Sequence, residues 1–177
     1  MKIFGILGPI GSGKGTAAKH VSKKYGYKII VMGNLVRELA KKLKISTTRG
    51  NLQALQKKYR KKYGDYFFIN LAIEKAKKYE KAIIDGIRTP YDARGAKAGG
   101  AKLILIDASP EVRFKRMKKR RRAGFSKTLE QFNKEEASEW KIFNFKKTLG
   151  YVDYRIFNNG GKTELCIDVD KLMKRIN

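Results

Sequence analysis

The residues best suited to chemistry lie in one short segment, Gly8-Pro9-Ile10-Gly11-Ser12-Gly13-Lys14-Gly15-Thr16. Glycines at this spacing let successive backbone N–H groups turn inward around a phosphate. A lysine entering the first turn of a following helix then reaches the β and γ phosphates of a nucleotide. This reading needs a strand before the loop and a helix after it. The apolar run Ile3 to Leu7 supplies the strand, and Thr16 to Tyr25, closed by Gly26, supplies the helix. The hydroxyl that ordinarily follows the lysine is displaced by one residue, with Gly15 in its place and Thr16 next.

Two further groupings complement the loop. Ala82-Ile83-Ile84-Asp85-Gly86-Ile87-Arg88-Thr89 is an apolar strand that delivers an acid at its C-terminal end. In open parallel sheets ligands bind at that edge, and Asp85 there can hold the magnesium that bridges two phosphates. Val112 to Arg122 contains eight basic residues in eleven. Arg116 and Arg120 project from one side of a helix, so both can close on one phosphate chain and stabilise its charge. The same run also reads as a nucleic-acid-binding surface.

The string G-x-x-G-x-G-K-G-T resembles the phosphate loop of adenylate-kinase-type nucleoside monophosphate kinases, in which the hydroxyl is displaced in the same way. The resemblance implies that Gly8, Gly11, Ser12, Gly13, Lys14, Gly15 and Thr16 bind ATP, with Lys14 on the transferring phosphoryl group and Thr16 behind the α phosphate. Gly33-Asn34-Leu35-Val36-Arg37 is similar to that family's G-D-x-x-R, which implies that Gly33 and Arg37 meet the acceptor and that Arg37 grips its phosphate. A guanidinium fork suits that task. Asn34 replaces the family's aspartate. Asp85 to Thr89 resembles D-G-F-P-R-T with one residue fewer, which places Arg88 toward the acceptor phosphate and Asp85, with Thr16, at the metal. Asp92 stands where the family reads the acceptor base; it accepts hydrogen bonds only, which suits an amino group or a ring N–H. It reads equally as an ordinary loop or first-turn aspartate. Arg116 and Arg120 resemble the R-x-x-x-R at the hinge of the family's lid. Tyr154 to Gly160, including Asn159, resembles the fifth strand and adenine-wrapping loop of dephospho-coenzyme A kinases and their uncharacterised archaeal relatives.

Positioning these residues takes a single α/β domain over 1–177, a P-loop NTPase fold with five parallel strands flanked by helices. The strands are expected near Ile3 to Leu7, Ile29 to Met32, Ala82 to Ile84, Leu103 to Ile106 and Tyr154 to Phe157. Helices are expected through Leu35 to Leu43 and Leu52 to Tyr63, from an Asp65 cap through Phe68 to Ala72, from a Ser109 cap, from Thr128 through Phe143, and from about Thr163 to Ile176. Gly95 to Gly100 reads as a turn. An acceptor-binding insertion is expected over about 34–75 and a short lid over about 120–127.

The chain has 177 residues, with 42 Lys plus Arg against 16 Asp plus Glu, for a net charge of +26. One cysteine and one histidine exclude an intrachain disulfide framework and a multi-Cys zinc site. No apolar run of membrane-spanning length occurs, and the N-terminal run leads straight into glycines, so it reads as a strand and not a secretory signal. A cytoplasmic setting with small-molecule nucleotides as partners and no membrane is the expectation. The function expected is ATP- and Mg2+-dependent phosphoryl transfer to a nucleoside monophosphate or similar small nucleotide. Two alternatives remain: a dephospho-coenzyme A kinase-like enzyme, and an RNA-associated ATPase with an adenylate-kinase-like core. Of the net charge, +17 lies in residues 34–80 and 111–127, around the expected acceptor and lid. Two nucleotides cannot use all of it, so RNA stays open as a partner.

Overall fold

Alternating apolar positions give the central strand two buried faces. In β1 (Lys2–Leu7), Ile3 and Leu7 enter one core, and Phe4 and Ile6 enter the other. The computed structural model describes residues 1–120, 126 and 128–176. The same alternation recurs in β3 (Lys81–Asp85) and β4 (Ala101–Asp107): Ile84, Leu103 and Leu105 face one way, Ile83, Ile104 and Ile106 the other. With β2 (Lys28–Val31) and β5 (Tyr154–Phe157) they form one parallel sheet in the order β2-β3-β1-β4-β5. A sheet covered on both faces needs strands that are apolar on both faces, as these three are.

Helices α1 (Lys14–Tyr25) and α9 (Lys162–Ile176) cover one face. Helices α2 (Met32–Lys42), α3 (Arg49–Tyr63), α4 (Phe67–Ala76) and α5 (Pro90–Ala98) build the other side. Then α6 (Pro110–Lys119), α7 (Leu129–Phe143) and the one-turn α8 (Phe145–Thr148) lead through a short 3-10 turn, Leu149–Tyr151, into β5. Full burial of side chains such as Leu103, Ile84 and Ile69 contributes about 1.5–3 kcal/mol each.

Three local expectations are corrected. Met32 opens α2 and does not end β2. Asp65 does not cap α4, whose first residue is Phe67. The segment after Gly64 makes a turn closed by Phe67 N–H on the Gly64 carbonyl, and the Asp65 carbonyl accepts from Arg60. Gly95 lies inside α5 and not in a turn. A Cβ there would come within 2.7 Å of Ile69 Cγ2, so the missing side chain lets α5 approach α4. The Ser109 and Thr128 caps are present, each accepting from the backbone N–H three residues on.

The loop-bearing helix α1 is clamped to α9 by one carboxylate. Asp170 accepts from Lys24 Nζ at 2.6 Å, His20 Nε2 at 2.7 Å and the Tyr25 hydroxyl at 2.9 Å. Desolvation works to raise this carboxyl, yet the three donors hold it well below the ordinary carboxylate range. Its contribution is therefore present above the pKa of an unfolded aspartate and is lost as pH falls below it. Asp170→Ala should lower Tm at pH 7 by about 4–8 °C, with the difference from wild type shrinking in thermal melts run at progressively lower pH below 4.

Candidate functional site

The loop between β1 and α1 turns because glycines occupy positions other residues would strain. Gly8 has φ 151°, and a Cβ on it would sit 2.1 Å from the Ile106 carbonyl oxygen. Gly13, at φ 100°, precedes α1, and a Cβ there would meet Asn158 Nδ2 at 2.4 Å. Neighbouring elements hold the loop by its carbonyls. Asn158 Nδ2 donates to Ser12 O at 2.7 Å, Arg113 Nη1 to Ile10 O at 3.3 Å, and Arg116 Nη1 to Gly11 O at 3.4 Å. These contacts satisfy three loop carbonyls from outside the loop, while the Ser12 N–H donates within it to the Pro9 carbonyl at 3.3 Å.

Lys14, on the first turn of α1, folds back over the loop and donates to the Pro9 carbonyl at 3.2 Å. Burial pulls its pKa down to about 8. Asp85 works in the opposite direction, while Arg88, Arg120 and Arg113 add to the fall. Asp85 ends β3, next to β1, which brings it to the same edge. Its Oδ1 is sealed from solvent and has no hydrogen-bond partner, and burial raises its pKa against the pull of Lys14 and Arg88. Ser12 Oγ is likewise buried without a partner. Such atoms are costly to leave unmade, and among the described residues Asp85 Oδ1 and Ser12 Oγ are the two side-chain atoms in this state.

These residues fit a magnesium ion that arrives on a nucleotide. Mg2+ takes one or two protein oxygens together with phosphates and water, and Asp85 offers a carboxylate oxygen with nothing else to bind. Among the described residues no group of three or more His, Cys, Asp or Glu could hold a metal alone.

The other expected site residues divide. Thr16 is half-buried on the first turn of α1, and Gly15 is exposed beside it. Arg88 is exposed; its guanidinium lies 5.6 Å from the Phe143 ring centre and its carbonyl accepts from the fully buried Thr148. Arg120 ends α6 with Nη1 3.9 Å from Met117 Sδ, near enough to disfavour the Lys14 charge. Arg37 is exposed in the middle of α2, where Asn34 Oδ1 accepts from it at 2.8 Å, and Gly33 leaves room for its guanidinium.

Three expected site residues have partners within the protein. Arg116 does not stand free above the loop, since it donates to Gly160 O at 2.7 Å, Asn158 Oδ1 at 3.2 Å and Gly11 O. Asp92 is not open to an acceptor base. It is 2% exposed, closes a reciprocal cap with Thr89 and pairs with Arg60 at 2.8 Å. Asn159 is exposed and accepts from the Ser109 N–H, and its neighbour Asn158 is the residue that touches the loop. The expected lid over about 120–127 lies, apart from Arg120 and Ser126, outside the described residues.

Two residues were missed. Arg113 is buried, donates to Ala108 O and Ile10 O, and forms a two-pronged pair with Glu136 of α7, Nη2 to Oε2 being 2.6 Å. It is one of eight bases in its run, and only its spacing three before Arg116 marked it. Asn158 carried no signal beyond its place at the end of β5. Two surface hollows of about 550 and 570 Å³ lie elsewhere, beside Phe157 on the β5 edge and between α4 and α5.

The family model described as an AAA domain matches residues 7–132, more than half of the chain. A UPF0200 protein of Pyrococcus furiosus is 30% identical, covering 97% of this chain and 95% of its own. The chain belongs to this family. A UPF0200 protein of Sulfurisphaera tokodaii is 31% identical over 99% of this chain and 98% of its own. Among solved structures, shikimate kinase from Acinetobacter baumannii superposes with a TM-score of 0.63 at 14% identity, covering 99% of this chain and 93% of that one. Shikimate kinase from Bacteroides thetaiotaomicron does so with 0.64, also at 14%, covering 99% and 98%. Identity this low shows the fold, and the fold is that of P-loop kinases. No helix among the described residues is long and apolar enough to cross a membrane.

The site's charges oppose folding when no ligand is bound. Because the Lys14 pKa is lowered, its cost is fully present below about 8 and fades as pH rises toward the ordinary lysine value of 10.5. Lys14→Met should therefore raise Tm of the free protein at pH 7 by about 3–8 °C, with most of the gain gone near pH 10. Thermal melts at both pH values check this, and a lower Tm in the variant at pH 7 would contradict it.

Proposed function

We propose that this protein transfers the γ-phosphoryl group of ATP to a phosphate-bearing small nucleotide. The observation that carries the reading is the convergence of Lys14 and Asp85, whose Oδ1 has no partner, at one sheet edge beside a loop braced by its carbonyls. An acceptor phosphate oxygen attacks the γ phosphorus, the bond from that phosphorus to the β,γ-bridging oxygen breaks, and ADP departs with the electron pair. A phosphate acceptor is already anionic, so the step needs no general base. The loop amides and Lys14 neutralise the β and γ oxygens, and the free hydroxyl of Ser12 adds a donor. Arg88 and Arg120, both near enough to act on the Lys14 charge, supply positive charge, and Arg37 meets the acceptor phosphate from the helical insertion over 34–75. Asp85 and Thr16 would hold a magnesium ion arriving with the nucleotide, and that ion would supply charge neutralisation.

One observation favours a second reading. Asp85 has a raised pKa and an uncommitted oxygen, which suits a base for an acceptor hydroxyl, as in dephospho-coenzyme A. The shikimate kinases that share the fold add shikimate as a hydroxyl acceptor to test.

An acceptor panel with ATP and magnesium decides between them. Nucleoside diphosphate should form from at least one monophosphate, and Lys14→Ala should lower kcat by at least about a hundredfold while circular dichroism stays unchanged. Transfer to dephospho-coenzyme A or shikimate alone would replace the phosphate acceptor by a hydroxyl. Wild-type turnover in Lys14→Ala would overturn the assignment of the loop.

A further inference from the structure

The surplus charge has a second focus, away from the transfer site. Between Glu38 and Asp65 the chain carries nine basic residues and no acid. Four of them, Lys57, Lys58, Lys61 and Lys62, are exposed along the second half of α3. None of the four has a carboxylate partner among the described residues. Lys57 with Lys61, and Lys58 with Lys62, are like charges one turn apart, an arrangement that weakens a helix. The helix dipole favours cations in the last turn, which accounts for Lys61 and Lys62 but not for the pair before them. Arg60, on the same helix, turns inward to Asp92 and takes no part in this face.

Aromatic rings adjoin these lysines. Tyr59, Tyr63 and Phe67 form a continuous cluster with centroid separations of 5.4, 5.1 and 5.4 Å. Tyr63 is 52% exposed, with the Lys62 ammonium 5.1 Å from its ring. The apolar side of α3, through Leu52 and Leu55, is already packed into the core, which leaves no apolar face to enter a bilayer. An exposed ring bordered by cations without carboxylate partners, one of them hydrogen-bonded to Tyr63 itself, matches the two needs of an unpaired nucleic-acid strand: a stacking surface for a base and positive charge for its phosphates. A duplex keeps its bases stacked on each other and would use the lysines alone.

We propose that the second half of α3 binds single-stranded nucleic acid, with Lys57, Lys58, Lys61 and Lys62 meeting phosphates and Tyr63 stacking on a base. This surface does not depend on the transfer reaction, and its test reads binding only. The full chain is titrated against a fluorescein-labelled oligouridylate of about 12 nucleotides, with anisotropy followed across a salt series. Tyr63→Ala weakens binding by about tenfold, and Tyr63→Phe keeps the wild-type affinity. Replacing the four lysines by Gln lowers the slope of log K against log salt by about 3. Replacing Lys19, Lys23, Lys146 and Lys147 by Gln removes the same charge elsewhere and leaves affinity within about twofold. Equal loss in the two quadruple variants would overturn the proposal, as would binding to phosphatidylserine vesicles without binding to the oligonucleotide, or tight binding indifferent to Tyr63→Ala.

Discussion

A half-buried lysine and a half-buried carboxylate that the protein itself does not fully satisfy set the terms for the rest of this structure. Lys14 is drawn toward neutrality by burial and by surrounding arginines, and Asp85 keeps an oxygen without a donor. Each alone would favour a different local arrangement. They persist because the parallel sheet fixes where β1 and β3 end, side by side and in register from Lys2 with Lys81 to Ile6 with Asp85. The free energy of the two cores is what holds these groups in place.

The loop's shape has a similar origin. Its amides can face a ligand only if its carbonyls are satisfied elsewhere, and three side chains from distant parts of the chain do this: Asn158 after β5, and Arg113 and Arg116 on α6. Arg113 then ties α6 to Glu136 on α7, and Asn158 accepts from Arg116. The cradle is thus connected to the elements that flank the basic run. A shift in α6 would be felt directly at Gly11 and Ile10.

Much of this was legible in the sequence because it rests on local rules. Strand alternation, the glycine pattern before Lys14, and the caps at Ser109 and Thr128 each depend on a few neighbouring residues, and the structure contains all of them. What failed depends on distant partners. Asp92 looked like a reader of the acceptor because nothing nearby announced Arg60, thirty-two residues away, as its counter-ion. The contacts of Arg116 were not legible either, because the carbonyls it binds lie in two other loops. Gly95 looked like a turn because its reason is the approach of Ile69 on another helix. Asn158 and Asn159 are adjacent and chemically identical, and only the direction in which β5 ends separates their roles.

If the site's unsatisfied charge exists to receive a phosphate chain, Lys14 must change its protonation behaviour when the chain arrives. Titration of the Lys14 Cε resonance in 13C-lysine-labelled protein, assigned with Lys14→Arg, measures this directly. The account predicts a midpoint near 8 in the free protein and above about 10 with a non-hydrolysable ATP analogue and magnesium bound. A free-protein midpoint at the ordinary 10.5, or one that nucleotide leaves unmoved, would contradict it.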